Sequence, residues 1–325
     1  LTPPLLEADD FFDLLGEHIK SLEEEKPSAL SNEPGKAVLI TSSLQAGGAE
    51  RQWCYLARNL YERGYAVTVL TMLDLGGEHS HYHPLLADTD IKILSVSDIF
   101  LQRNLLGQED LKRYFFKPLL AQCFRDLSFP LRHFFEYLVV SKPQFVACQL
   151  DHPNINGGIA ALLANVPRIL LSFRNVNPEN FPRFHKPWFK EAYQTLFKSS
   201  RVVFSGNSLA GNADYAQWLD IDEKKVNLVR NGVLLDEKID DSHLLSTLAE
   251  ANVSLERPTI TGVFRLAEEK RPHLFLEVID VLRKEIEDVL VLLVGDGPLR
   301  NELYTSAKSR GLLKNLLFLG RRRDT

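Results

Sequence analysis

From residue 36 onward, short apolar runs alternate with stretches whose apolar residues recur at helical spacing. Residues 36–44 (KAVLITSSL) read as a buried strand. Residues 46–64 (AGGAERQWCYLARNLYERG) read as a glycine turn opening an amphipathic helix, and 65–72 (YAVTVLTM) as the next strand. That unit has the size a right-handed parallel crossover requires. Further strands are expected at 91–96, 144–150, 168–173, 201–206 and 227–233, with helices between them, one opening at Gly157. Such alternation predicts a doubly wound α/β sheet that takes ligands at the carboxyl ends of its strands. A polar helical connector (LDEKIDDSHLLSTLAEANVSL) follows Val233. A second series then places strands at 259–266, 289–297 and 316–320 and helices at 273–288 and 298–311. This series covers about 70 residues, roughly half of a doubly wound domain.

The first 35 residues stand apart. Leu5, Leu6, Phe11, Phe12, Leu14, Leu15, Ile19 and Leu22 lie at helical spacing in an acidic background, and Pro27 and the run from Ser31 to Gly35 then break the pattern. This predicts a helical extension and linker over 1–35. It packs against the main body or ends a preceding domain, and it carries no chemistry.

Composition narrows the function class. A chain of 325 residues with 45% apolar and 25% charged residues is an ordinary two-domain globular protein, not a collagenous, low-complexity or disordered one. With 38 basic and 43 acidic side chains the net charge is −5, so no global attraction for nucleic acid is expected. No apolar run approaches the roughly 18 residues that cross a bilayer. Cys54, Cys123 and Cys148 are widely spaced in apolar sequence and read as reduced core thiols of a cytoplasmic protein, not as a disulfide frame or zinc site. The chain begins at Leu1 with no charged-then-apolar leader, so no signal peptide is expected and the chain reads as a piece of something longer.

Four places hold residue types that a core alone does not require. Gly47-Gly48 lie between the first strand and its helix, where free backbone N–H groups can meet an anion; a tight turn is the other reading. They do not form the dinucleotide fingerprint G-x-G-x-x-G. Asp151, His152, Asn154 and Asn156 cluster just past a buried strand, where they can hold sugar hydroxyls and where His152 can act as an acid or base. Helix capping accounts for one or two of these side chains but not all of them. Arg174 and Asn175 end another strand and suit an anionic or hydroxyl-rich ligand, or simply a solvated loop. Arg265, at a strand end, and Lys270, at the start of a helix, are two fixed cations of the kind that a departing nucleoside diphosphate needs. A fifth feature, Gly295-Asp296-Gly297-Pro298, joins a strand to a helix, where its glycines can simply turn the chain.

These residues together carry a resemblance. Gly-Gly-Ala-Glu-Arg-Gln at 47–52 after an apolar strand resembles the amino-terminal loop of the family 4 retaining glycosyltransferases of the GT-B fold. Asn207-Ser208, then Arg230-Asn231-Gly232-Val233, is similar to that family's passage between domains. FRLAEEK at 264–270 resembles its R-L-x-x-x-K diphosphate clamp, and VLLVGDGPLRNEL followed by LLFLG resembles what comes next. The motifs stand in family order at family spacing across 36–325, and QLDHPNINGGIAA with SFRN resembles the members that build bacterial capsular and other surface polysaccharides.

The resemblance implies two Rossmann-like domains facing a cleft. An acceptor-side domain covers 36–232, and a connector with an incomplete donor domain covers 233–325. It implies transfer of a sugar from a nucleoside diphosphate donor, uridine-linked, to a growing polysaccharide or lipid-linked glycan, with retention, no divalent metal and no further cofactor. Arg265 and Lys270 then stabilise the leaving diphosphate. Gly47, Gly48, Arg174, Asn175 and Gly295 line the ligand, and Gly320 lies near the nucleotide base. Where many relatives carry H-x-H this chain has Ala147 and Gln149, so acceptor-side chemistry falls to Asp151 or His152. The acidic E-x-F-G…E segment of the family does not occur in these residues, so the fragment alone is expected to bind sugar nucleotide poorly and to be inactive.

Two further expectations concern partners. Residues 111–142 mix aromatics with six cations (Lys112, Arg113, Lys117, Arg125, Arg132, Lys142) against Asp126 and Glu136. That face suits an anionic inner-membrane surface or an acidic acceptor, or is the solvated side of a packed helix pair. Residues 1–35 are the candidate contact for an assembly-complex protein. The rival to an enzyme is a catalytically silent GT-B module that scaffolds polysaccharide assembly. A nicotinamide-dependent oxidoreductase is disfavoured by the missing fingerprint.

Overall fold

The computed structural model describes residues 8–24, 33–102, 128–232 and 256–322. The chain divides into two compact units, 1–233 and 234–325. Of the sequence features above, the connector after residue 232, Cys123 and residues 111–127 lie outside the described residues.

The first unit is built on seven parallel strands: β1 (Lys36–Thr41), β2 (Ala66–Thr71), β3 (Lys92–Ser95), β4 (Phe145–Gln149), β5 (Ile169–Phe173), β6 (Val202–Gly206) and β7 (Val226–Leu228). Their order is β3-β2-β1-β4-β5-β6-β7. The winding therefore reverses between β1 and β4, and a crevice opens at the carboxyl ends of those two strands. The strands are apolar on both faces because helices cover both. The helices are α1 (Ala8–Glu24), α2 (Gly48–Glu62), α3 (Val96–Leu101), α4 (Ser128–Ser141), α5 (Asp151–Leu163), α6 (Phe189–Leu196) and α7 (Leu209–Leu219). α5 lies close on the sheet because two of its residues lack side chains. A Cβ on Gly157 would stand 2.6 Å from Cys148 Sγ and 2.9 Å from Ile40 Cδ1.

The helical extension is part of this unit. Phe11, Phe12, Leu15, Ile19 and Leu22 of α1 join the same core as the sheet. Glu23 accepts from Ser199 Oγ and from the Ser200 amide and hydroxyl, and Arg201 Nη2 donates to Leu22 O at 3.0 Å. The apolar face of α1 is thus spent on its own unit. α4 is likewise a packed helix, with Leu131, Phe134, Phe135 and Leu138 buried and Arg132 paired to Glu136 at 3.0 Å. No helix among the described residues is long and apolar enough to cross a membrane.

The second unit holds β8 (Thr259–Val263), α8 (Pro272–Glu285), β9 (Leu290–Val294), α9 (Arg300–Ser309) and β10 (Leu316–Gly320). Its parallel strands lie in the order β10-β9-β8. Leu276, Ile279, Val291, Leu293, Leu303, Ala307 and Leu316 form its core.

Several boundaries differ from the sequence reading; α5 opens at Asp151 and not at Gly157, and β9 ends at Val294, short of the expected 297. β7 ends at Leu228, because beyond the Val229 amide, which still donates to Gly206 O, the chain leaves the sheet edge. β8 ends at Val263, so Arg265 stands in the loop beyond it. Lys270 closes a 3-10 turn at Glu268–Lys270, since the helix that follows opens at Pro272, a residue suited to a first turn.

Candidate functional site

At the crevice between β1 and β4 the strand ends are joined by side chains. Gln149 Nε2 donates to Thr41 Oγ1 at 3.0 Å with both residues fully buried, and Gln149 Oε1 has no partner. The turn after β1 leads to the amino-terminus of α2. No side chain caps that helix; Gly47 occupies the cap position in extended conformation. A Cβ on Gly47 would strike the Glu50 carboxylate, which folds back over the turn, whereas a Cβ on Gly48 would meet nothing within 4 Å. Gly47 is therefore explained by local packing. Gly48 leaves an exposed, uncapped helix start. Glu50 is buried, and burial raises its carboxyl above the usual range against the pull of its own backbone amide and Gln45.

β4 passes into α5 through Leu150, held at φ +70°. Asp151 then starts the helix, yet its carboxylate does not cap it. Oδ1 accepts from Tyr215 at 2.7 Å and from Tyr193 at 2.8 Å, and the carboxylate is also stabilised by its own backbone amide. Burial raises the Asp151 carboxyl above its ordinary range despite both phenols, its own backbone amide and the nearby His185. The same burial, with the Asp151 charge, holds both phenols well above theirs. Tyr215 stacks on Phe173 with ring centres 3.8 Å apart, and Tyr193 also receives Asn154 Nδ2 at 3.2 Å. Asn154 spans to β5, donating to Ser172 O and accepting from Ser172 N. Asn156 donates to His152 O at 2.9 Å, and the His152 ring stands edge-on to Phe189. Of the four polar residues in this stretch, Asn154 and Asn156 are explained by structure. Asn156 Oδ1 is buried without a partner, and Asp151 is set apart by the two phenols that hold it.

Arg174 follows β5. Its guanidinium lies over the Trp53 ring, 5.8 Å from the ring centre, and Nη1 donates to Asn231 Oδ1 at 3.0 Å. Nε is buried without a partner, no carboxylate pairs with it among the described residues, and desolvation lowers its pKa. A cation partly withdrawn from water without a counter-charge is suited to an anion. Asn175 beside it is exposed. The loop carrying both is moored to α7: the Asn177 side chain donates to Asp214 at 3.0 Å and Trp218 to Glu179 at 2.8 Å. Gln52, Trp53, Tyr193 and Tyr215 are the members of this site that the residue pattern does not reveal. Tyr193 and Tyr215 read as core aromatics, and Gln52 has no partner near it in sequence.

In the second unit Arg265 and Lys270 are exposed and unpaired among the described residues. Buried Leu266 between them fixes the loop: its N–H donates to Asp296 O at 3.0 Å and its carbonyl accepts from Leu299 N at 3.0 Å. The glycines of the Gly295-Asp296-Gly297 turn admit that backbone. Gly295 has φ +139°, and a Cβ there would collide with Phe264 O; at Gly297 it would collide with Leu266 O. They do more than turn the chain, because only glycine lets the two loops lie side by side. Gly295 N also donates to Gly320 O at 2.8 Å, so Arg265, Lys270, Gly295 and Gly320 share the carboxyl edge of one sheet. Among the described residues no group of three His, Cys, Asp or Glu side chains is placed to hold a metal ion.

The family model "Glycosyltransferase Family 4" matches residues 46–237, and "Glycosyl transferases group 1" matches 247–325. The chain is 26% identical over 306 residues to the Vi polysaccharide biosynthesis protein VipC/TviE of Salmonella typhi, covering 89% of this chain and 53% of that one. It is 29% identical over 227 residues to the UDP-Gal:alpha-D-GlcNAc-diphosphoundecaprenol alpha-1,3-galactosyltransferase of Escherichia coli, covering 66% of this chain and 57% of that one. It thus spans a little over half the length of the curated relatives it matches. Among solved structures, Anabaena Alr3699/HepE in complex with UDP-glucose superposes with a TM-score of 0.60 at 20% identity, over 89% of this chain and 70% of that one. The fold is GT-B. With the first model matching more than half of its residues, the chain belongs to glycosyltransferase family 4.

Proposed function

We propose that the protein transfers a sugar from a nucleoside diphosphate donor, with uridine as the base, to a growing polysaccharide or lipid-linked glycan. The observation that carries this reading is the pair of exposed, unpaired cations Arg265 and Lys270 on a loop locked by Gly295 and Gly297. In the transfer, the bond from the sugar's anomeric carbon to the diphosphate breaks and the acceptor oxygen takes its place on the same face, with retention. Negative charge gathers on the departing diphosphate, where two cations that pair with no carboxylate among the described residues lower the barrier most. Asp151, its Oδ1 held by Tyr193 and Tyr215, orients the acceptor hydroxyl, with His152 beside it. Gly48, Arg174 and Asn175 contact the ligand at the first unit's edge, and Gly320 lies near the base. No metal and no further cofactor takes part. The galactosyltransferase relative is named for a UDP-sugar and a lipid-linked diphosphate acceptor, and the Vi relative for polysaccharide biosynthesis; both support these choices. The buried free thiols of Cys54 and Cys148 fit a cytoplasmic location.

Calorimetric titration of the whole protein with UDP, GDP and ADP tests the reading. UDP is expected to bind in preference, and Arg265→Ala to weaken it by about tenfold or more. If a well-folded protein binds none of the three, the reading gives way to a catalytically silent scaffold.

A further inference from the structure

The backbone that leaves β7 does not run straight out of the first unit. Val229 N donates to Gly206 O at the end of β6 at 2.9 Å. Two residues on, Asn231 Oδ1 accepts from Arg174 just beyond β5 at 3.0 Å. At the next residue, Gly232 O accepts from Gln52 Nε2 at 2.7 Å, and Gly232 N donates to Gln52 Oε1 at 2.9 Å. Gln52 lies on α2, the helix after β1. Residues 229–232 therefore step inward along the carboxyl edge, from the outermost strand toward the glycine turn.

One primary amide satisfies both main-chain groups of one residue, as a neighbouring strand would. Only Asn and Gln carry a donor and an acceptor at that spacing, and Gln has the longer reach. The second tie shares the same support, since the Arg174 guanidinium lies over Trp53, the residue after Gln52. The first unit ends at Val233, directly after the tied pair.

We propose that Gln52 is a positioning residue for the transfer reaction. It pins Gly232, and with it the start of the segment that leads to the second unit, to the helix whose first turn carries Gly48. The inference rests on the reading of that turn as ligand-binding. Under it, a displacement of the first turns of α2 is passed to the start of the connecting segment, and the reverse holds equally. Gln52 itself touches no reacting atom.

The test pairs amide hydrogen exchange over 229–232 with transfer kinetics in the whole protein. In Gln52→Ala both bonds are lost. Exchange at Gly232 is expected to accelerate about tenfold while β1 and β4 amides stay as in the wild type, and kcat is expected to fall about tenfold with donor KM within about twofold. Gln52→Glu keeps an acceptor for the Gly232 N–H but cannot donate to its carbonyl, so protection of that amide persists and kcat lies between the other two. Faster exchange with an unchanged kcat would make the tie a structural detail and overturn the proposal. Unchanged exchange in Gln52→Ala would overturn it as well. A wild-type protein that transfers no sugar, with exchange still responding to Gln52→Ala, sinks the glycosyltransferase reading and leaves the tie standing.

Discussion

At the carboxyl edge of the first unit the charged groups are held by neighbours: Asp151 by Tyr193 and Tyr215, Arg174 by Trp53 and Asn231. At the same edge of the second unit Arg265 and Lys270 stand in solvent with no partner among the described residues. The glycines show the reverse pattern. Gly48 in the first unit has open space where a side chain would go, while Gly295 and Gly297 in the second are pressed against backbone. One unit thus presents oriented side chains beside an open helix start. The other presents free cations on a rigidly packed loop. The contrast teaches that position at a strand end does not define a role; the role follows from which groups have their charge already answered inside the protein.

If the free cations await a diphosphate, removing either should damage transfer and little else. Arg265→Ala and Lys270→Ala are each expected to lower the transfer rate by about 100-fold or more, with thermal unfolding unchanged within a degree or two. Initial rates and melting curves on the same preparations check this, and equal losses of rate and stability would erase the contrast between the two edges.

Next in size is the packed loop. Gly295→Ala places a Cβ against Phe264 O at a φ that side chains avoid, and is expected to destabilise the second unit by about 2–4 kcal/mol. Urea unfolding that shows no loss would mean that the two loops do not lie as close as described.

The smallest effect separates the held carboxylate from an ordinary one. Asp151 titrates above the usual range, so over the interval from the ordinary aspartate value to its raised one the folded state keeps a proton that the unfolded chain has released. Stability contributed by this group therefore falls as pH rises through that interval and is level above it. Asp151→Asn retains an oxygen for the two phenols and is expected to flatten that slope, changing stability at neutral pH by within about 1 kcal/mol. Urea midpoints measured across the acidic range decide it; Glu50, shifted the same way, remains as the background slope.

Much of the framework was legible because it is written locally. The apolar runs at 36–41, 145–149, 169–173 and 290–294 are strands, and the helix after Gly47-Gly48 begins where its glycines placed it. The cations at 265 and 270 stand out by type alone, although their loop and 3-10 setting was read as strand end and helix start. The partners were not legible. Asp151 is separated from Tyr193 by 42 residues and from Tyr215 by 64, and Gln52 from Gly232 by 180. Nothing near any of them in the chain marks the pairing.

The sequence by itself determined the alternation of strands and helices and the residue types offered at the strand ends. Those follow from side-chain periodicity and backbone preference, which act over a few neighbouring residues. The tertiary structure decided which offered groups are answered internally. It turned Asp151 into a tyrosine-bound carboxylate, Gly295 and Gly297 into necessities of backbone contact, and Gln52 into an anchor for Gly232. The strand orders, β3-β2-β1-β4-β5-β6-β7 in the first unit and β10-β9-β8 in the second, made those choices, because they bring residues far apart in the chain to one edge of each sheet, where burial and hydrogen bonding set their chemistry.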